Sequence, residues 1–222
     1  MKNILCIDSA FDSLTVALSC KGQVFCQQNL IPKQHGVSLI GYIKALFVEA
    51  DFPSNQLDAI AYNAGPASFT GVRMGAGVAM SMGHALEKPV IALSSLLLLA
   101  KEAKVTGGIV LATNAYQGEI YTARFEKQAE LVRKTEDSLC DPEALNKLVQ
   151  EEDTLFTDCE QLYGAMWQPV LVEKKAKVLS LPLVSGDTLL KVAEAAFLNG
   201  EGKPAMQASP QYLRKAESWK RP

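Results

Sequence analysis

The sequence is poor in residues that build self-contained chemistry. Only two histidines, His35 and His84, occur among its 222 residues. They fall on different predicted helices, and no H-x-x-x-H or H-E-x-x-H pattern is present. The five cysteines (Cys6, Cys20, Cys26, Cys140, Cys159) are odd in number and lack C-x-x-C spacing. That argues against a disulfide framework or thiolate cluster and for free thiols in a reducing compartment. No metal site of histidines or thiolates is expected. No apolar run approaches the ~20 residues that span a bilayer. An aspartate stands eighth in MKNILCIDSA, where a secretory signal would still be apolar. Charged residues make up 21% and the net charge is −2, which does not suit a surface devoted to nucleic acid. What remains is a cytoplasmic globular protein, long enough for one large domain or two lobes.

Three strands are predicted over residues 2 to 30, from NILCID, SLTVALSC and QVFCQQNL. An amphipathic helix over 35 to 50 places Leu39, Ile40, Ile43, Leu46, Phe47 and Ala50 on one face. LDAIAYN is a further strand running into a helix, PVIALS a fifth strand and SLLLLAKEA a third helix. A second unit begins after Thr106-Gly107-Gly108 with the same three-strand opening, from GIVLATN, GEIYTARFE and ELVRKTE. PEALNKLVQEE is then a helix, TLFTD a strand and GDTLLKVAEAAFLNG a helix. The expected class is α/β, with mixed sheets flanked by helices in two lobes, 1–105 and 106–222.

The densest motif is GPASFTGVRMG, residues 65 to 75, followed by AGVAMSMGHAL. Gly65, Pro66, Ser68, Phe69, Thr70, Gly71 and Arg73 form a loop that opens a helix. Neither G-x-G-x-x-G nor the P-loop pattern is present. Ser68 and Thr70 are expected to cap the helix rather than act as nucleophiles. Asp8, Ser9 and Ser13 could approach a phosphate, but no glycine occurs there to let the backbone come close. A phosphotransferase would want a base at the end of the second unit's first strand, where Asn114 stands, an amide. Arg73, near a helix N-terminus, is expected to have a carboxylate or carbonyl partner rather than a phosphate. Gly71, Gly75, Ala79 and Gly83 recur every fourth residue as a narrow ridge, with Met74, Val78 and Met82 beside it. Such a ridge admits a closely packed second helix, or else packs on the chain's own sheet.

These residues resemble a known family. YNAGPASFTGVRMG is similar to the G-P-G-S-F-T-G-[LV]-R-[IM]-G signature of the TsaB family, also called YeaZ. ILCIDSAFDSLTVAL is similar to its I-D-T-A opening, and KQHGVSLIGYIKALF to its R-x-H-S-x-x-L-[LI]-x-x-I helix. NAYQGEIY is similar to D-A-R-x-G-E-[VI]-Y, and PQYLRKAESWK to P-x-Y-[LV]-R. The resemblance implies an actin-like ATPase fold of two RNase H-like lobes. It also implies work in making N6-threonylcarbamoyladenosine beside the anticodon of tRNAs that read codons beginning with A. The implied role is that of a non-catalytic scaffold, a homodimer in isolation. TsaD would be the catalytic partner and TsaE would join them, while tRNA would be met only through the complex. ATP, ADP and metal would then belong to TsaD and TsaE, and no cofactor to this chain. The implied interface is the paired helices of the first lobe, through His35, Leu39, Ile43, Phe47, Gly71, Met74, Gly75, Val78, Ala79, Met82 and Gly83. Ala67, Asn114 and Tyr116 depart from the family pattern, and Gly36 and Gly41 weaken the first interface helix. The competing readings are a stand-alone phosphotransferase or metallopeptidase and a nucleotide-binding module. The basic C-terminus, with Arg214, Lys215, Lys220 and Arg221, reads as a solvated tail, with tRNA contact as the alternative.

Overall fold

The first residues fold as a meander because two short turns let apolar, β-branched runs pair with their neighbours. The computed structural model describes residues 1–30 and 35–214. β1 (Ile4–Asp8) and β2 (Ser13–Cys20) are buried throughout, and β2 turns through Lys21-Gly22 into β3 (Gln23–Leu30). Lys21 and Gly22 have φ of 49° and 76°, the two positive values a tight two-residue hairpin requires. α1 (His35–Glu49) follows, and β4 (Ala59–Gly65) lies parallel to β1. α2 (Phe69–Ala85) leads to β5 (Val90–Ser94), and α3 (Ser95–Glu102) carries the chain onward. The first sheet has the order β3-β2-β1-β4-β5. One face is closed by Leu39, Ile43 and Leu46 of α1 and Ala76 and Ala79 of α2, packed with Leu14, Val16, Ile60 and Tyr62 of the strands.

The second sheet repeats that scheme. β6 (Gly107–Asn114) and β7 (Ile120–Lys127) are antiparallel, with the short β8 (Leu131–Arg133) and β9 (Ser138–Cys140) both pairing with β7. α4 (Leu145–Leu148), β10 (Thr154–Thr157), α5 (Glu160–Glu173) and β11 (Lys177–Ser180) complete the order β11-β10-β6-β7-β8. Trp167 anchors the core under this sheet, donating its indole N–H to the Pro142 carbonyl at 2.9 Å. α6 (Gly186–Leu198) then starts at Ser185, whose hydroxyl accepts from the Thr188 N–H at 3.2 Å. The class is the α/β one expected, two mixed sheets flanked by helices.

The lobe boundary needs correcting. The compact units are Met1–Leu98 with Val184–Gln211, and Leu99–Leu183 with Tyr212–Pro222. α6 belongs to the first unit because Leu189, Leu190 and Ala193 of its apolar stripe are buried there, against β1 and β2. The helix expected from PEALNKLVQEE shrinks to a 3-10 turn (Pro142–Ala144) and the four residues of α4. β9, α5 and β11 were not predicted. Among the described residues no helix is long and apolar enough to cross a membrane.

Candidate functional site

The glycine-rich loop leaves β4 over a buried polar network. The Asn63 amide N–H donates to Asp8 Oδ1 at 3.0 Å, and the Ala10 N–H donates to the same oxygen at 3.0 Å. Asn63 Oδ1 in turn accepts from the Ser95 hydroxyl at 2.6 Å and from the Gly65 N–H at 3.0 Å. Asp8, Asn63 and Ser95 are each no more than 3% exposed, so this pairing is what makes their burial tolerable. The Gly65–Pro66 peptide is cis, and Gly65 has φ 96°. The Ser68 N–H donates to the Ala10 carbonyl at 3.3 Å, and the Ser9 hydroxyl to the Gly71 carbonyl at 2.8 Å.

Ser68 and Thr70 do not act as expected. Ser68 occupies the N-cap position of α2 without a side-chain cap bond, and both residues are exposed. The Ser9 and Ala10 contacts from the turn after β1 fix the loop in their place. Arg73 lies with its guanidinium 3.4 Å from the centroid of the Phe69 ring. An aromatic face is thus a partner of this cation, beyond the carboxylate or carbonyl expected.

The small-residue ridge faces the chain's own sheet, the second of its two expected orientations, and not the partner interface that the resemblance implied. Gly71, Gly75, Ala79 and Gly83 are all buried. A side chain at Gly71 would begin on the Ser9 carbonyl, at Gly75 it would meet the Ser9 hydroxyl, and at Gly83 the Val90 side chain. Leu39 and Ile43 are likewise core, at 1% and 5% exposure. Phe47, Met74, Val78 and Met82 form the rim of that core, half-buried against it. His35 opens α1, and its side chain lies outside what is described; His84 is exposed in the last turn of α2.

Two other glycines face outward. A Cβ at Gly77 of α2 or at Gly41 of α1 would meet nothing within 4 Å. Ser81 and Ala85 continue the exposed face of α2, and Ala45 and Val48 that of α1. Ile40 and Val48 are 46% and 81% exposed, and Phe69 at the start of α2 is 45% exposed. The sequence carried a signal for this surface. Gly77 falls out of phase with the ridge, so packing on the chain's own sheet could not account for it.

In the second unit, the departures Asn114 and Tyr116 build a turn. Tyr116, Gln117 and Gly118 have φ of 59°, 55° and 82°. Asn114 Oδ1 accepts from the Tyr116 N–H at 2.8 Å, and the Asn114 N–H donates to Asp158 Oδ1 at 2.9 Å. Arg214 fills this turn. It donates to the carbonyls of Ala115 (3.1 Å) and Tyr116 (3.3 Å) and to Gln117 Oε1 (3.2 Å), and pairs with Glu119. Its side chain is 7% exposed, so it is an anchor and no part of a solvated tail. Lys215, Lys220 and Arg221 lie outside the described residues.

A metal-bound nucleotide would call for several donor side chains gathered in one place. Asp8 is buried and held by Asn63 and Ala10, and the equivalent strand end of the second unit offers the amide of Asn114. Among the described residues no three His, Cys, Asp or Glu side chains gather as a metal site would require.

The sequence model of one family, described as "TsaD: tRNA N6-adenosine threonylcarbamoyltransferase", matches residues 29–163. The chain is 28% identical to the tRNA threonylcarbamoyladenosine biosynthesis protein TsaB of Escherichia coli (strain K12), over 98% of this chain and 97% of that protein. It is 27% identical to the protein of that name from Haemophilus influenzae, over 98% and 96%. The solved structure of YeaZ from Pseudomonas aeruginosa superposes with a TM-score of 0.79 at 28% identity, covering 96% of this chain and 100% of that one. Matched by the family model over more than half its length and by these relatives nearly end to end, the chain belongs to the threonylcarbamoyltransferase family, on its TsaB, or YeaZ, branch.

Proposed function

We propose that this chain is a non-catalytic subunit in the synthesis of N6-threonylcarbamoyladenosine on tRNA, beside the anticodon of tRNAs that read codons beginning with A. Its relatives from E. coli and H. influenzae are named for the biosynthesis of that nucleoside. The observation that carries the scaffold role is the outward face of α1 and α2, where Gly41 and Gly77 leave open space beside exposed Ile40, Val48 and Phe69. A glycine inside a helix costs roughly 1 kcal/mol against alanine. A closely approaching partner helix offsets that cost, and the half-buried Met74, Val78 and Met82 supply adaptable contacts at its margin. The partner is a TsaD-type catalytic paralogue or, in isolation, a second copy of this chain; TsaE joins the assembly. tRNA is met through the complex, nucleotide and metal are held by TsaD and TsaE, and the setting is the cytoplasm.

A stand-alone phosphotransferase is the weaker reading, because Asp8 is enclosed in its own network and Asn114 cannot accept a proton as a general base. The deciding experiment is co-purification with the TsaD protein of the same organism, followed by a tRNA modification assay. Gly77→Leu is expected to abolish the complex and its activity while the melting temperature of the isolated chain does not fall. Full tRNA modification by this chain without TsaD would refute the proposal.

A further inference from the structure

The sheet edges of this protein are protected unequally. Beyond β5, the Val90 N–H donates to the Lys203 carbonyl at 2.8 Å and the Lys203 N–H to the Val90 carbonyl at 2.9 Å, so the chain covers that edge itself. β8 has three residues, and β11 has four and opens with Lys177. Shortness and a lysine within the strand are usual guards against edge pairing. β3 has neither. It runs eight residues, QVFCQQNL, without charge or proline, and pairs with β2 along its whole length without a bulge. Among the described residues no strand pairs with its other side.

The hairpin decides which backbone groups face that side. Cys20 and Gln23 flank the two-residue turn and form its closing pair, which is the hydrogen-bonded kind. Alternation then turns Gln23, Phe25, Gln27 and Asn29 toward β2, and the backbone N–H and C=O groups of Val24, Cys26, Gln28 and Leu30 outward.

We infer that the free edge of β3 is a self-association surface, pairing antiparallel with β3 of a second copy about a two-fold axis at Gln27. This surface is distinct from the α1 and α2 face and goes beyond the proposed function. A two-fold perpendicular to the sheet keeps each face on its own side, so paired positions must share parity. Centring on Gln27 meets that condition and satisfies all four outward residues, Val24 opposite Leu30 and Cys26 opposite Gln28. The side chains agree. Val24 and Leu30, 39% and 70% exposed, share one face and cover each other across the axis. Gln27 meets its own copy, and a primary amide is both donor and acceptor, so it complements itself. An uncharged strand meets no like-charge repulsion from its copy. That self-complementarity favours a second copy over a charged segment of another protein.

The test is sedimentation of the full chain over a concentration series, with disulfide trapping of the register. In a Gly77→Leu background, which removes pairing through the helix face, Leu30→Lys is expected to leave the melting temperature unchanged and weaken the remaining association about tenfold or more. In a Cys26→Ser background, Gln27→Cys is expected to form an interchain disulfide under mild oxidation. Opposed residues of a non-hydrogen-bonded pair have Cα atoms about 4.5 Å apart, within the ~4.4–6.8 Å a disulfide spans. Gln23→Cys in that background is expected to stay unlinked, and Gly77→Leu on the helix face to leave the Gln27→Cys yield unchanged. A chain that remains monomeric at every concentration overturns the inference, including one whose edge proves to take another protein's segment. So does a folded Gln27→Cys variant that fails to cross-link, or association that is lost in Gly77→Leu but kept in Leu30→Lys.

Discussion

Ser9 and Gly71 touch so closely that the Ser9 carbonyl occupies the place where a Gly71 side chain would begin, while the Ser9 hydroxyl donates to the Gly71 carbonyl at 2.8 Å. α2 can sit on the turn after β1 only without a Cβ at that point. Gly71→Ala is therefore expected to destabilise the protein by about 1–3 kcal/mol, the usual cost of overpacking. Gly77→Ala, in open space, is expected to stabilise the isolated chain by about 0.5–1 kcal/mol through helix propensity. Thermal melts of the two variants check both signs, and equal shifts would contradict the inward and outward assignment.

Arg124 and Asp153 form a forked pair beneath the second sheet, Nε to Oδ2 at 3.0 Å and Nη2 to Oδ1 at 2.8 Å. The Gln150 N–H donates to the same carboxylate at 2.8 Å, and a Cβ on Gly108 would collide with it. The two side chains are 9% and 2% exposed. Arg124→Ala leaves a buried carboxylate without its cation, which typically costs about 3–5 kcal/mol. Replacing both residues with apolar side chains is expected to cost less than Arg124→Ala alone. Chemical denaturation of the single and double variants measures this.

Arg214 holds three consecutive left-handed residues in place by bonding the carbonyls of Ala115 and Tyr116. Arg214→Ala is expected to raise hydrogen exchange over residues 115–119 and to cost about 1–3 kcal/mol. Arg214→Lys is expected to rescue little, because an ammonium cannot reproduce the guanidinium fork. Exchange mass spectrometry of the turn distinguishes the variants.

The thiols should divide by burial. Burial, reinforced by the Asp158 carboxylate beside it, pushes Cys159 from 9.0 up to about 12, and burial raises Cys6 as well. Alkylation near neutral pH is expected to label the exposed Cys26 ahead of the half-buried Cys140, and to spare Cys6, Cys20 and Cys159. A thiol whose pKa rises on folding stabilises the fold fully below its ordinary value near 9.0. That contribution is lost as pH climbs through the folded value. The melting temperature should therefore decline above about pH 9, and Cys159→Ala should lessen the decline.

The strands and helices of the first unit were legible because their periodicity is clean. ILCID is buried on both faces, and Leu39, Ile43 and Leu46 mark one stripe of α1. α5 was hidden because Gly164 and Pro169 interrupt EQLYGAMWQPVLVE, a composition that argues locally against a helix and is overruled by the packing of Trp167 and Leu171. The spacing of the α2 ridge marks a close-packing surface, but spacing alone does not say which side a glycine faces. Burial assigns the ridge to the sheet and leaves Gly41 and Gly77 facing outward. Arg214 was unreadable for another reason. Its turn lies roughly a hundred residues upstream, and no local pattern records a pairing at that distance.

Because Val184–Gln211 completes the unit that Met1 begins, the order in which the ribosome delivers the chain is not the order in which the units are finished. Most of the second unit, Leu99–Leu183, emerges as one piece while the first sheet still awaits the apolar stripe of α6. A nascent chain therefore carries the uncovered faces of β1 and β2 through much of its synthesis. During that interval a holdase chaperone has an apolar surface to grip, and a chain stalled at Leu183 should remain its client when the finished protein has been let go.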